Sequence, residues 1–252
     1  MTAPAPPDRR DAGAIRAAIA PFEFGAVRDS VVQFGITISL FLANCAAMYA
    51  SLQISYLLTL ALAFPAAGLL VRLFIVQHDC GHGAYFSSSR ANAIAGVICS
   101  VFTLTPYANW RRQHGRHHGN WNNLDRRIAD GDIYSACLTV REYRALSFWG
   151  RALYRHTRNP ILTYLVFPPL VFTVLYRIPF DTPAAWRSER HSVYWTNALL
   201  VAAFAAASLL LGFKAVLMVQ APVVIVASIV GVWLFTVQHR FDGAQWSRQA
   251  DW

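Results

Sequence analysis

Charge is what this 252-residue chain has least of. Only 14% of its residues are Asp, Glu, Lys or Arg, against roughly 25% in soluble domains. From Ser30 through Val71 there is no such charge at all, and from His191 through His239 the only one is Lys214. A bilayer-crossing helix needs about 20 predominantly apolar residues, so each stretch has room for two. That distribution excludes an ordinary soluble domain or a disordered tail. Cysteine is scarce too: Cys45, Cys80, Cys99 and Cys137 form no CxxC pair, and Cys45 lies in an apolar run, which excludes a disulfide scaffold. Lysine is nearly absent, every basic residue but Lys214 being Arg, and the net charge is +9. In a soluble chain that excess would suggest nucleic acid. Membrane proteins instead gather basic residues in cytoplasmic loops, and no nucleic-acid partner is expected. The proline-rich, charged start has no apolar run near it, unlike a secretory signal. Residues 1–25 therefore read as a solvated, flexible tail.

The apolar blocks are 31–50, 52–76, 194–213 and 215–235. Ser51, Gln53 and Ser55 mark a tight turn between the first two, and Gly212–Lys214 joins the last two. Between the pairs, residues 77–160 hold eleven Arg against five acids, which assigns this loop, and with it the N-terminus, to the cytoplasm. Two further apolar pieces are short. Residues 93–106 are too few to cross and read as interfacial or re-entrant. The segment 161–176 is interrupted by Pro168–Pro169. At 1.5 Å per residue it would cover about 24 Å of a roughly 30 Å hydrocarbon core. The expected fold is an all-α, multi-pass integral membrane protein with four transmembrane helices and a cytoplasmic helical cap.

Five of the eight histidines fall in two clusters, His78-Asp79-Cys80-Gly81-His82 and His114-Gly115-Arg116-His117-His118. Residues four apart share a helix face, so His78 can point with His82, and His114 with His118 and its neighbour His117. Neutral imidazole suits Fe, Zn, Cu or Ni. Five imidazoles exceed what one tetrahedral zinc takes, and a pair of metals is the natural reading. Cys80, two residues from each neighbour, points away from their face. His156 and His191 have no clustered partner.

QHDCGHGAYF (77–86) and WRRQHGRHHGNWNNLDRRIADGDI (110–133), with VQHRFDGAQW (237–246) after the last apolar block, resemble the membrane-bound fatty acid desaturases, especially their Δ12/ω6 branch. The resemblance covers most of residues 30–246. It implies four spans and a cytoplasmic cap carrying histidine boxes. It also implies two non-haem Fe ions, which use O2 and two electrons to introduce a double bond into an acyl chain. Carried onto this sequence, His78 and His82 are first-box ligands, His114, His117 and His118 second-box ligands, and His239 an additional ligand; the alternative for His239 is an interfacial or capping histidine. Asp79 and Asp125 are candidates to orient the imidazoles, or else surface partners of arginine. The family carries a third HxxHH box beyond the position of His239, and none follows here. The chain reads as one desaturase-like membrane domain over 1–252, C-terminally incomplete relative to the family.

The resemblance implies a membrane lipid or acyl substrate, O2, and a separate electron donor of ferredoxin or cytochrome type. Alternatives are a lipid or carotenoid hydroxylase or ketolase on the same scaffold, and a catalytically inactive truncated metal-binding homologue. A site shared by His239 and His114–His118 demands an even number of spans between them. Segments 194–213 and 215–235 supply two, so 161–176 is expected along the inner interface, with both termini cytoplasmic. Single cysteines in place of Asp125, Asp181 and Gln245 should accordingly be labelled from one and the same side by a membrane-impermeant maleimide. Labelling of position 181 from the opposite side overturns this topology.

Overall fold

The computed structural model describes residues 13–14, 17–18, 27–127, 137–239 and 243–251. The expected tail over 1–25 falls almost wholly outside them, as does the GDI stretch of the sequence motif. Among the described residues the chain is helical, with one isolated parallel bridge, Asn123 to Ser247, and no named strand.

Four helices are long and apolar enough to cross a membrane: α1 (Val27–Ser51), α2 (Tyr56–His82) and, later in the chain, Arg187–Leu211 and Phe213–His239. They hold 25 or 27 residues each. At 1.5 Å per residue that is about 40 Å, up to about two turns more than a hydrocarbon core of roughly 30 Å. The surplus turns matter, because both histidine-bearing ends, His78–His82 and His239, lie in them. α1 and α2 are joined as the sequence suggested. Ser51 and Ser55 close a tight turn, fixed by a buried Ser51–Thr59 hydroxyl pair at 2.7 Å. α2 runs unbroken through Pro65 and packs along α1, α3 (Ser89–Thr103) and the last span. Small residues at its contact faces, Ala63, Ala66 and Ala67, are buried, which lets backbones approach closely where lipid supplies no hydrophobic drive. Polar links cross the same seam: Asn44 Nδ2 donates to Leu62 O at 3.0 Å and Arg72 Nε to Thr37 Oγ1 at 3.1 Å.

The short piece 93–106 is α3, bent by 101° against α4 (Tyr107–Asn120). Leu104 takes the left-handed conformation at φ +58°, and Pro106 caps α4. The corner is held from within. Gln77 of α2, fully buried, donates to Thr105 O at 3.1 Å and accepts from Thr103 Oγ1 at 2.6 Å. Tyr107 O–H reaches Cys80 O at 2.8 Å. Its ring lies against Gly96, where an added Cβ would come within 2.3 Å of it.

After α5 (Val140–Ala145) and α6 (Phe148–His156) comes the second short apolar segment. It does not form one continuous helix. Leu162–Val166 is a π-helical stretch, α7 (Phe167–Thr173) follows, and Leu175–Arg177 is a 3-10 turn. Pro168 and Pro169 bring no N–H and disturb the ladder there. The segment packs on the last span, and Arg177 pins its end. That guanidinium donates to Leu104 O at the corner and to Asn197 Oδ1, while Asn197 Nδ2 donates back to Arg177 O at 2.7 Å. α8 (Arg187–Leu211) and α9 (Phe213–His239) complete the bundle, with Ser192 Oγ accepting from Ala108 N of α4.

Replacing Gln77 with Leu leaves the buried Thr105 carbonyl without its donor, while the Thr103 hydroxyl keeps Cys99 O as an acceptor; the orphaned carbonyl costs about 1–3 kcal/mol. We expect the melting midpoint of the detergent-solubilised Gln77→Leu chain to fall by several degrees. Gly68→Ala, whose added methyl meets nothing within 4 Å, should leave it unchanged.

Candidate metal centre

Three helix ends meet at one end of the bundle. α2 delivers His78 and His82 from its last turns, α4 delivers His114, His117 and His118, and α9 ends on His239. One ligand atom each from His78, His82, His114 and His118 lies within 4.8 Å of the other three. Their Nε2 atoms face one another: His82 to His78 at 3.2 Å, His82 to His114 at 3.2 Å, His118 to His114 at 3.1 Å. His117 and His239 extend the cluster on one side, their rings 4.9 Å apart, with His118 and His239 at 6.0 Å. All six histidines singled out in the sequence are thus brought together. His156 and His191 are exposed and outside the group.

Two of the tautomers are set by neighbours. Nδ1 of His78 lies 3.0 Å from Asp79 Oδ1, and an ionised carboxylate only accepts, so Nδ1 holds the proton and Nε2 the lone pair. Nδ1 of His239 donates to the Phe235 carbonyl at 2.8 Å, with the same result. Burial, then the neighbouring imidazoles, pushes His114 down to about 2 and His118 down to about 4. Both stay neutral at pH 7, the state that binds metal. Convergent Nε2 atoms 3.1–3.2 Å apart suit donors around a common ion, given metal–imidazole bonds of about 2.0–2.1 Å. The donor set fits a transition metal.

Aromatic rings wall the cluster. Trp110 stacks on His114 at 4.5 Å and 15°, and Trp121 touches His117 and His239 at 4.9 and 4.8 Å. Trp121 is in turn covered by Trp246, which a clasp holds in place. Ser247 exchanges backbone hydrogen bonds with Asn122 and Leu124, and Gln249 N donates to Asp125 Oδ2 at 2.9 Å. Asp125 also pairs with Arg248. These bonds hold its carboxyl below the usual range, first through the Gln249 N–H and then Arg248. Of the two aspartates considered from sequence, Asp79 therefore orients a histidine, whereas Asp125 ties the chain beyond α9 to the turn after α4.

A cavity of about 260 Å³ opens against the cluster. His78, His114 and His117 form part of one wall, and Phe74, Phe172 and Val232 are among the apolar remainder. α9 contributes Val224, Val232 and Phe235 together with three small residues, Ala227, Ser228 and Gly231. Ile178 and Phe180, both exposed, stand at its rim. Sequence reading missed Gln77 and most of this lining; Phe74, Trp110 and Trp121 stood out there as aromatic residues flanking the histidine clusters. Gln77 alone left a signal, as a lone amide in an apolar helix directly before His78.

Comparison with known proteins gives the family. The family profile described as fatty acid desaturase matches residues 54–251. The chain belongs to the fatty acid desaturase family. A fatty acid desaturase of Bacillus subtilis is 40% identical over 234 residues, covering 93% of this chain and 65% of that protein. An oleoyl-12-hydroxylase of Ricinus communis is 32% identical over 120 residues (45% and 31%). A chloroplastic sn-2 acyl-lipid omega-3 desaturase (ferredoxin) of Helianthus annuus is 31% identical over 92 residues (36% and 20%). The desaturase-family chain described here thus spans less than two thirds of the length of each. No solved structure matches it.

Proposed function

We propose that this chain carries the metal-binding and acyl-binding parts of an O2-dependent fatty acyl desaturase, facing the cytoplasm. The observation that carries the reading is the convergence of six histidines, three of which, His78, His114 and His117, form part of the wall of an apolar cavity. His78, His82, His114 and His118 would hold one iron, with His117 and His239 beside His118 extending the set to a second. Such a pair, when bound, supplies the O2-dependent removal of two hydrogens from a saturated carbon–carbon bond, with two electrons from a separate ferredoxin- or cytochrome-type donor.

The chain's own part is positional. Asp79 accepts from His78 Nδ1–H and aims Nε2 into the cluster; such outer partners also raise ligand basicity. Trp110 fixes the plane of His114. The apolar walls would hold an acyl chain extended along the histidines and keep water from it, and small side chains on α9 give that chain room. A lipid-linked acyl group could enter past Ile178 and Phe180. Desaturation is preferred over the hydroxylation named for the Ricinus relative because the Bacillus match covers twice as much of this chain.

Protein purified from iron-supplemented cells should contain chelatable iron, and His118→Ala should lower its retention at limiting iron by about tenfold or more. Unchanged iron after replacing both His114 and His118 overturns the metal assignment. The cavity is tested separately. Gly231→Leu, entering open space beside the lining, should weaken binding of a spin-labelled stearic acid by about tenfold, as lost apolar room of a few methylenes implies. Iron content should stay as in the parent chain. Equal stearate binding by Gly231→Leu removes the cavity from the acyl site and leaves the metal assignment standing.

A further inference from the structure

Helix α6 (Phe148–His156) buries none of its residues, yet its sequence FWGRALYRH is strongly two-faced. Tyr154 marks the inner side, where its hydroxyl accepts from Leu138 N at 3.2 Å and Arg158 lies over its ring at 4.4 Å. At 100° per residue, the opposite arc carries Phe148, Ala152, Trp149 and Leu153, with the exposed His156 of the last turn between Ala152 and Trp149. The three large side chains are 63%, 78% and 64% exposed. The helix is nonetheless well specified. Ser147 caps it by accepting from Gly150 N, and the preceding turn is locked by the Thr139–Glu142 capping box and the Glu142–Arg127 ion pair. An ordered nine-residue helix therefore directs its apolar arc away from the protein.

Two observations identify what covers that arc. Charge is the first: Arg144, Arg151, Arg155 and Arg158 lie in or around the helix, and no Asp or Glu occurs between Glu142 and Asp181. The second is continuity. The next segment exposes Leu165, Leu170 and Val174, in a chain whose four spans already face lipid. We propose that α6 lies in the headgroup layer of the same membrane, on the histidine side of the bundle, and binds anionic phospholipid. Phe148, Trp149 and Leu153 enter the edge of the acyl region. Arg151 and Arg155, both on the Phe148 edge of the apolar arc, reach lipid phosphates while their stems cover apolar surface. Trp149 is well suited to this level, with an apolar ring and a polar N–H. A second protein or a second copy would not require an unbroken basic stretch. This placement does not depend on metal or on catalysis.

The test uses the full chain in vesicles, with Cys137 replaced by Ser; the other three cysteines are buried. An environment-sensitive fluorophore is placed at Trp149→Cys or Leu153→Cys, with Arg141→Cys as a water-facing control. In vesicles one third phosphatidylglycerol, nitroxide-bearing lipid should quench positions 149 and 153 about threefold more than 141, and aqueous iodide about threefold less. In pure phosphatidylcholine, or with Arg151→Gln and Arg155→Gln combined, that contrast should fall by about half or more. Iodide-accessible labels at 149 and 153 in both vesicles overturn the proposal. So does protection that vanishes when protein is diluted at constant lipid, which marks a second copy. Protection indifferent to phosphatidylglycerol and to the arginine replacements overturns the anionic-lipid assignment.

Discussion

The site depends on one buried amide. Gln77 stands a single residue before His78, and both ends of its side chain are committed to the corner between α3 and α4. That corner sets where α4 begins and hence where His114, His117 and His118 point. An amide buried without partners costs several times what one good hydrogen bond contributes, so α2 and the corner have essentially one way to meet. Tyr107, tied to Cys80 O and pressed on Gly96, enforces the same register one turn further on. Arg177 closes the corner from outside, through the carbonyl of Leu104. Burial pushes its guanidinium down to about 10, yet it remains charged at any physiological pH.

Helix length does the rest. α2 and α9 are about 40 Å long, more than an apolar core requires. The excess carries ionisable histidines clear of hydrocarbon, where they would be costly to hold. The cavity beside them lies between the apolar parts of these helices and α7. Solvent-side histidines and an apolar cavity thus meet at the level where two spans emerge, and aromatic rings line the junction.

Much of this was legible in the sequence. Charge-free runs gave four helices, the number the structure shows among the described residues. Spacing of four within HDCGH and HGRHH placed their histidines on shared faces, because helix periodicity is local. His239 needed the resemblance, since nothing within the chain near it signals a ligand; only packing sets it 4.9 Å from His117. The role of Asp125 was open for a related reason. Its partners, Arg248 and Gln249, are more than 120 residues away, a separation that no local pattern encodes. The break of 161–177 into π, α and 3-10 pieces was foreshadowed by Pro168–Pro169, but the seat of Arg177 against Leu104 and Asn197 was not, being a matter of tertiary fit.

α9 keeps two tasks on different parts of one rod. Its last residue stands among the histidines, while Ala227, Ser228 and Gly231 border the cavity two to three turns earlier. At 1.5 Å per residue, Gly231 is about 12 Å along the axis from His239. A codon change at any of the three small positions alters the room in the cavity by a methyl or two and leaves the imidazoles where they are. Descendants of such a chain can diverge in the shape of that cavity by single steps, with no intermediate that has to rebuild the histidine cluster.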